Sequence, residues 1–185
     1  MLLRVAPGGS SGKHPFLLAL HGANSGGAPG GLWAFRGAWD LPGLVIVAPS
    51  SAGSTWTLGR MDIEVIDRAL RVAFRRCGVD RRRIAVGGFS AGAALALWLG
   101  LTNGDLFRSV IALSGGGSLP TVRVGQPRIF IAHGTQDSII PIADGGDALA
   151  RQLRSDGYAV VYRRFHGGHG VVPAIARSAV RRAVY

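Results

Sequence analysis

Ile84, Ala85, Val86, Gly87, Gly88, Phe89, Ser90, Ala91, Gly92, Ala93, Ala94, Leu95, Ala96, Leu97 is the stretch that decides the fold. It opens on an apolar run of strand length and closes on a run of strong helix formers, with Gly-x-Ser-x-Gly between them. That arrangement is a nucleophile elbow in its strand-to-helix context. A serine on so tight a turn needs small residues two positions to either side. The turn pushes the hydroxyl outward and aims the following amide at the same point. The bland alternative, a Gly-Ser turn without chemical consequence, does not account for the flanking strand and helix.

Outward from the elbow, short apolar runs alternate with segments of helical period. Strands are expected at residues 16–20, 44–48, 83–87, 109–113, 128–132 and 158–165. Most are Val, Ile, Leu and Ala without polar alternation, as strands covered on both faces require. Residues 62–76 place Ile63, Ile66, Leu70 and Phe74 on one helical face, with Asp62 as a candidate cap. Further helices are expected at 91–101, 143–155 and 172–184, the third of these four helices ending before Asp156 and Gly157. The alternation predicts βαβ units and a mostly parallel sheet of six or seven strands flanked by helices, in one α/β domain spanning residues 1–185.

The composition agrees with a single packed domain. The chain has 185 residues, 48% of them hydrophobic and 17% charged. No stretch reaches the roughly 18 consecutive apolar residues of a membrane-spanning helix. Pro7, Gly8, Gly9, Ser10, Ser11 and Gly12 precede the first good apolar run, which is unlike a secretory leader, so the expected location is cytoplasmic. A single cysteine, Cys77, excludes an internal disulfide and a cysteine metal cluster, and it reads as a half-buried structural thiol at a helix end. The net charge of +11 invites a nucleic-acid reading, but the arginines are dispersed, Lys13 is the one lysine, and no recognition motif accompanies them. Specific nucleic-acid binding is therefore not expected. The sequence leaves the oligomeric state open.

Two further signals bear on the elbow. His133, Gly134, Thr135, Gln136, Asp137 follows one strand, and Gly167, Gly168, His169 follows the next. Loops after parallel strands lie on one sheet edge, so Ser90, Asp137 and His169 can converge. In that arrangement Ser90 attacks an acyl carbon, His169 moves the proton and Asp137 orients the imidazole. Asp144 and Asp147 fall inside the expected helix and read as solvated charges. His166 is the rival base, but it continues directly from the strand and reads as a packing residue. Two donors are needed where negative charge develops. The Ala91 amide follows the nucleophile directly. The Ala23 amide lies in the small-residue loop Leu20, His21, Gly22, Ala23, Asn24, Ser25. His21 and His133 read as structural rings that hold their loops.

Residues 20–22, 88–92, 133–137 and 167–169 together resemble the α/β-hydrolase superfamily, and within it the phospholipase/carboxylesterase family of small serine esterases that includes acyl-protein thioesterases. The resemblance runs from about Phe16 onward and takes in Val79 to Ile84 before the elbow and Gly104 to Phe107 after its helix. It implies hydrolysis of carboxylic esters or thioesters without metal or organic cofactor, with Ser90, Asp137 and His169 at the family's catalytic positions. The chain departs from the family in two places. Ala91, Gly92 and Ala93 stand where Gly-Gly or Asp-Gly is frequent, and the loop from Asn24 to Gly31 is unusually rich in glycine.

The expected strands and helices use most of the chain and leave no insertion for a lid domain. The site should therefore be open and shallow, walled by residues 49–60 with Trp56 as a possible pocket wall, and by residues 114–127. Small short-chain esters suit such a site. Feruloyl- or polyester-type esterase, peptidase and a non-catalytic hydrolase-like binding protein are the alternatives on the same residues.

Overall fold

A computed structural model describes residues 1–8 and 12–185; Gly9, Ser10 and Ser11 of the N-terminal glycine and serine run lie outside the described residues. Seven strands form one sheet: β1 Leu2–Val5, β2 His14–Leu20, β3 Val45–Ala48, β4 Val79–Phe89, β5 Ser109–Leu113, β6 Arg128–Gly134 and β7 Val160–Phe165. Five helices accompany them: α1 Ala28–Ala34, α2 Arg60–Arg76, α3 Ala91–Thr102, α4 Gly146–Ser155 and α5 Pro173–Val184. The strand order is β1-β3-β2-β4-β5-β6-β7, parallel throughout except for the antiparallel pairing of β1 with β3.

Side chains alternate between two cores, one on each face of the sheet. Phe16, Leu18 and Leu20 of β2 point to the face covered by α2, α3 and α4, where Ile66, Leu97 and Leu153 meet them. Leu17 and Ala19 point to the opposite face, covered by α1 and α5 through Ala34, Ala176 and Val180. Both faces are buried, which is why these strands read as unbroken apolar runs.

The chain runs from β2 outward to β3, then back past β2 to β4. Strand order reverses there, which makes the carboxyl ends of β2 and β4 the switch point at which open α/β sheets bind ligands. Leu20 sits opposite Gly88 in the ladder, so the loop after β2 and the elbow after β4 leave the sheet side by side.

Several boundaries differ from the sequence reading. β4 is 11 residues long because it pairs with both β2 and β5. α4 begins at Gly146 rather than at 143, since Pro141 accepts the amides of Asp144 and Gly145 in a separate turn. Asp144 lies in that turn. Asp147 is not simply solvated: it accepts Tyr162 Oη–H at 2.7 Å and Arg164 Nε–H at 3.0 Å. Asp62 does not cap α2; Gly59 occupies that position, and the carboxylate turns back onto the preceding loop. Cys77 is half-buried at the end of α2, and burial pushes its thiol above the ordinary value.

Candidate active site

β4 ends at Phe89 and α3 begins at Ala91, so Ser90 alone makes the turn. Its φ of 55° and ψ of −120° lie in a region that non-glycine residues rarely occupy, a strain on the order of 1–3 kcal/mol. The Ser90 amide donates to Leu113 O at 3.0 Å, which fastens the turn to the end of β5. The glycines of the motif are required by close approach. A Cβ at Gly88 would land on the backbone of Gly92, and one at Gly92 would land on the carbonyls of Leu20 and His21. The same tightness reaches the loop after β2, where a Cβ at Gly22 would come to 2.9 Å from the Phe89 ring and 3.3 Å from Ser90 Cβ.

Asp137 follows β6 and is 6% exposed. One carboxylate oxygen, Oδ1, accepts the amides of Ile139 at 3.0 Å and Ile140 at 2.9 Å. The other, Oδ2, accepts His169 Nδ1–H at 2.8 Å and lies 3.1 Å from His133 Nε2. Burial pushes the Asp137 carboxyl up, but the Ile140 and Ile139 amides and the His169 imidazole outweigh it and hold the group below the ordinary carboxylate value. It is therefore a fixed anion. Because Nδ1 of His169 donates to it, Nε2 of that ring is left with a free lone pair.

The His169 loop is fastened on several sides. Thr135 and Gln136 amides donate to Phe165 O and Gly167 O, each at 2.9 Å, and Ser114 Oγ–H donates to Gly170 O at 2.8 Å. The His169 ring packs on Phe89, the residue before Ser90, with centroids 4.9 Å apart. Ser90, Asp137 and His169 thus leave the carboxyl ends of β4, β6 and β7 on one sheet edge. His166, the rival base, is exposed rather than packed, because the strand ends one residue earlier and the chain turns outward.

His133 is fully buried, and its role is structural. Nδ1 accepts the Gly146 amide at 3.2 Å, which fixes the proton on Nε2, where it faces Ile140 O at 2.9 Å and Asp137. His21 is likewise bound on both nitrogens: Nδ1–H donates to Gly22 O at 2.7 Å and Nε2 accepts the Ser51 amide at 3.0 Å. Trp56 stacks on this ring at 4.6 Å and donates Nε1–H to His21 O at 2.8 Å.

The Ala91 amide opens α3, where the first N–H groups of a helix have no intrahelical acceptor. Ala23 is exposed in the neighbouring loop, which Asn24 N–H holds to Ser54 O at 2.8 Å. Beside the elbow a cavity of about 210 Å³ is lined by Trp56, Leu58, Ala91, Leu95, Trp98 and Ser118 among others. Trp56 is thus both a packed residue and a wall. Of residues 114–127 only Ser118 lines this cavity. Trp98 shares a helical face with Ala91, Ala94 and Leu95, but nothing in the sequence alone distinguishes it from a packing residue. Asp62 was missed as the anchor of the Trp56 loop; it accepts the amides of Ala52 and Thr57 at 2.7 and 2.6 Å. Among the described residues no group of three or more His, Cys, Asp or Glu side chains could hold a metal ion, and no helix is long and apolar enough to cross a membrane.

The chain has recognisable relatives. It is 33% identical over 106 residues to acyl-protein thioesterase 1 of Gibberella zeae, covering 52% of this chain and 45% of that protein. It is 37% identical over 87 residues to acyl-protein thioesterase 1 of Saccharomyces cerevisiae, covering 43% and 37%. The chain thus spans less than half the length of these two curated relatives. In three dimensions it superposes on esterase PE8 with a TM-score of 0.77 at 21% identity, over 98% of this chain and 100% of the other, which is a likeness of fold. The sequence profile of the phospholipase/carboxylesterase family matches residues 60–175, a span that takes in the elbow, Asp137 and His169, and the chain belongs to that family.

Proposed function

We propose that this chain hydrolyses small carboxylic esters or thioesters with short acyl chains, using Ser90 as nucleophile, His169 as general base and Asp137 as its orienting anion. The observation that carries the reading is the strained Ser90 turn on the same sheet edge as an imidazole held by a buried carboxylate at 2.8 Å.

In the first half-reaction Ser90 Oγ bonds to the acyl carbon while its proton passes to His169 Nε2. Negative charge moves onto the carbonyl oxygen, which accepts hydrogen bonds from the Ala23 and Ala91 amides. Collapse of this intermediate breaks the bond to the alcohol or thiol, and the leaving group takes the proton from His169. In the second half-reaction water attacks the acyl-serine, His169 takes the water proton and returns it to Ser90, and the carboxylic acid leaves. Asp137 stays ionised throughout, consistent with the amides and imidazole that hold its carboxyl down. The acyl chain enters the 210 Å³ cavity between Trp56 and Trp98. Each methylene it buries contributes about 0.8 kcal/mol, and the gain stops when the cavity is full. Acetyl to hexanoyl esters are therefore the favoured substrates.

The test is Ser90→Ala, assayed with p-nitrophenyl butanoate and with a fluorophosphonate label. Turnover should fall about ten-thousandfold and labelling should vanish with the circular dichroism spectrum unchanged. An Ala variant that kept its rate would refute the assignment.

A further inference from the structure

Among the described residues, three that are not glycine sit on backbone with positive φ: Asn24 at 54°, Ser90 at 55° and Ser114 at 46°. They follow β2, β4 and β5 on the carboxyl edge of the sheet. Ser90 is the proposed nucleophile, and asparagine enters this region more readily than most residues. Ser114 has neither explanation. Glycine would stand there without strain, and the chain places Gly115, Gly116 and Gly117 at the next three positions. A serine kept under strain beside a run of glycines points to a use for its hydroxyl.

Ser114 is fully buried and ties three segments together. The peptide group between Leu113 and Ser114 is bonded on both sides: its carbonyl accepts the Ser90 amide at 3.0 Å, and its N–H donates to Ala132 O at 2.8 Å. The first bond holds the elbow, and the second holds the strand that leads to Asp137. The side chain takes the third segment, with Oγ–H donating at 2.8 Å to the carbonyl of Gly170, the residue after His169. Among the described residues this is the one hydrogen bond made by the backbone of residues 168–171. Upstream the Gln136 amide grips Gly167 O at 2.9 Å, and downstream α5 begins at Pro173. Between these points Gly168 and Gly170 leave the backbone free to turn.

Asp137 fixes the His169 imidazole at Nδ1, but a ring held at one nitrogen still swings Nε2 when its backbone drifts. We propose that Ser114 is a positioning residue for the reaction: through Gly170 O its hydroxyl holds His169 Nε2 in register with Ser90 Oγ. This inference rests on the Ser90, His169 and Asp137 reading given above. Ser114 is absent from the wall of the cavity beside the elbow, so its effect falls on kcat and not on KM. A misplacement of about 1 Å in a reacting group costs about a hundredfold in rate, and partial release of the loop is expected to cost at least about tenfold.

The experiment is Ser114→Gly in the full chain, which removes the hydroxyl and the backbone strain together. With p-nitrophenyl butanoate kcat should fall at least about tenfold while KM stays within about twofold, and the rate of fluorophosphonate labelling should fall with kcat. The low-field proton resonance of His169 Nδ1–H should broaden by exchange with water, with the circular dichroism spectrum retained. Ser114→Cys, nearly isosteric but a weaker donor, should lie between the glycine variant and the parent in kcat, and it decides the matter if the glycine variant does not fold. A folded glycine variant with parental kcat, a loss carried by KM alone, or a cysteine variant equal to the parent would each overturn the proposal. Ser90→Ala separates it from the reading beneath it. An inactive Ser90→Ala beside an unimpaired Ser114→Gly removes only the tether, whereas a Ser90→Ala chain with parental turnover removes the triad and the tether together.

Discussion

Asp62→Ala tests how the pocket wall is held. Asp62 is 2% exposed and receives three donors: Ala52 N–H at 2.7 Å, Thr57 N–H at 2.6 Å and Thr57 Oγ1–H at 2.9 Å. Hydrogen bonds to a charged group contribute about 1.5–3 kcal/mol each, so three set a ceiling of about 5–9 kcal/mol. Ala52 and Thr57 are themselves exposed, and water replaces much of what the carboxylate supplied. The expected loss at pH 7 is about 2–4 kcal/mol by urea denaturation. Asp62→Asn should cost nearly as much, because an amide NH2 would face one of the donors. The pH dependence has a definite sign. Burial raises the Asp62 carboxyl, but the Ala52 and Thr57 amides, the Thr57 hydroxyl and the His21 imidazole outweigh it, so the folded value lies below 3.8. A depressed folded value means that this stabilisation is complete above pH 3.8 and is lost as pH falls through the folded value. The gap between parent and variant should therefore be constant from pH 5 to 7 and close below about pH 4. Because Trp56 lies between the two anchored positions, KM for butanoyl esters should rise several-fold with a smaller change in kcat. A variant within about 0.5 kcal/mol of the parent at pH 7, or a gap that persists at low pH, would refute this account.

Three other outcomes are expected. His169→Ala should lose activity about as completely as Ser90→Ala, whereas His166→Ala, at an exposed position, should stay within about twofold of the parent in steady-state assays. Trp98→Ala should enlarge the cavity beside the elbow and move the chain-length optimum of p-nitrophenyl esters upward, with hexanoyl or longer acyl groups gaining on acetyl. Gly92→Ala places a methyl on the backbone of residues 20 and 21 and should lower the urea midpoint by the equivalent of at least about 3 kcal/mol, or prevent folding, as monitored by circular dichroism.

What could be read in the sequence was what is local. The elbow is legible because strand, strained serine and helix are contiguous, and its glycines follow from contacts within a few residues or with an adjacent strand. Asp137 was legible because it follows the buried strand β6, and His169 because its glycine loop follows the β-branched and aromatic run of β7, which reads as a strand although it lies half-exposed at the sheet edge. β1 was not, because all four of its residues are exposed and nothing in them alternates; it exists through its pairing with β3. α1 was hidden by Pro29, Gly30 and Gly31, poor helix formers, yet Gly31 is needed where that helix touches Ala19 O and Ala48. The roles of Asp62 and His133 rest on partners that sequence spacing does not reveal. A carboxylate in the first turn of a helix looks like a cap until the loop it grips is known, and a buried histidine is undefined until both its nitrogens are accounted for.

The antiparallel addition of β1 to β3 leaves β7 as the other end of the sheet. A terminal strand offers unpaired backbone groups to any neighbouring chain, and flat apolar ones template aggregation. Along β7 the run Val160, Val161, Tyr162 is interrupted by Arg163 and Arg164, both exposed. Arg164 is paired with Asp147, but Arg163 has no carboxylate partner among the described residues, and its charge would meet the same charge of a second chain stacked edge to edge, so the sheet carries its own repulsion against growing into a ribbon. Reversing or neutralising Arg163 would remove that guard and favour self-association at high concentration.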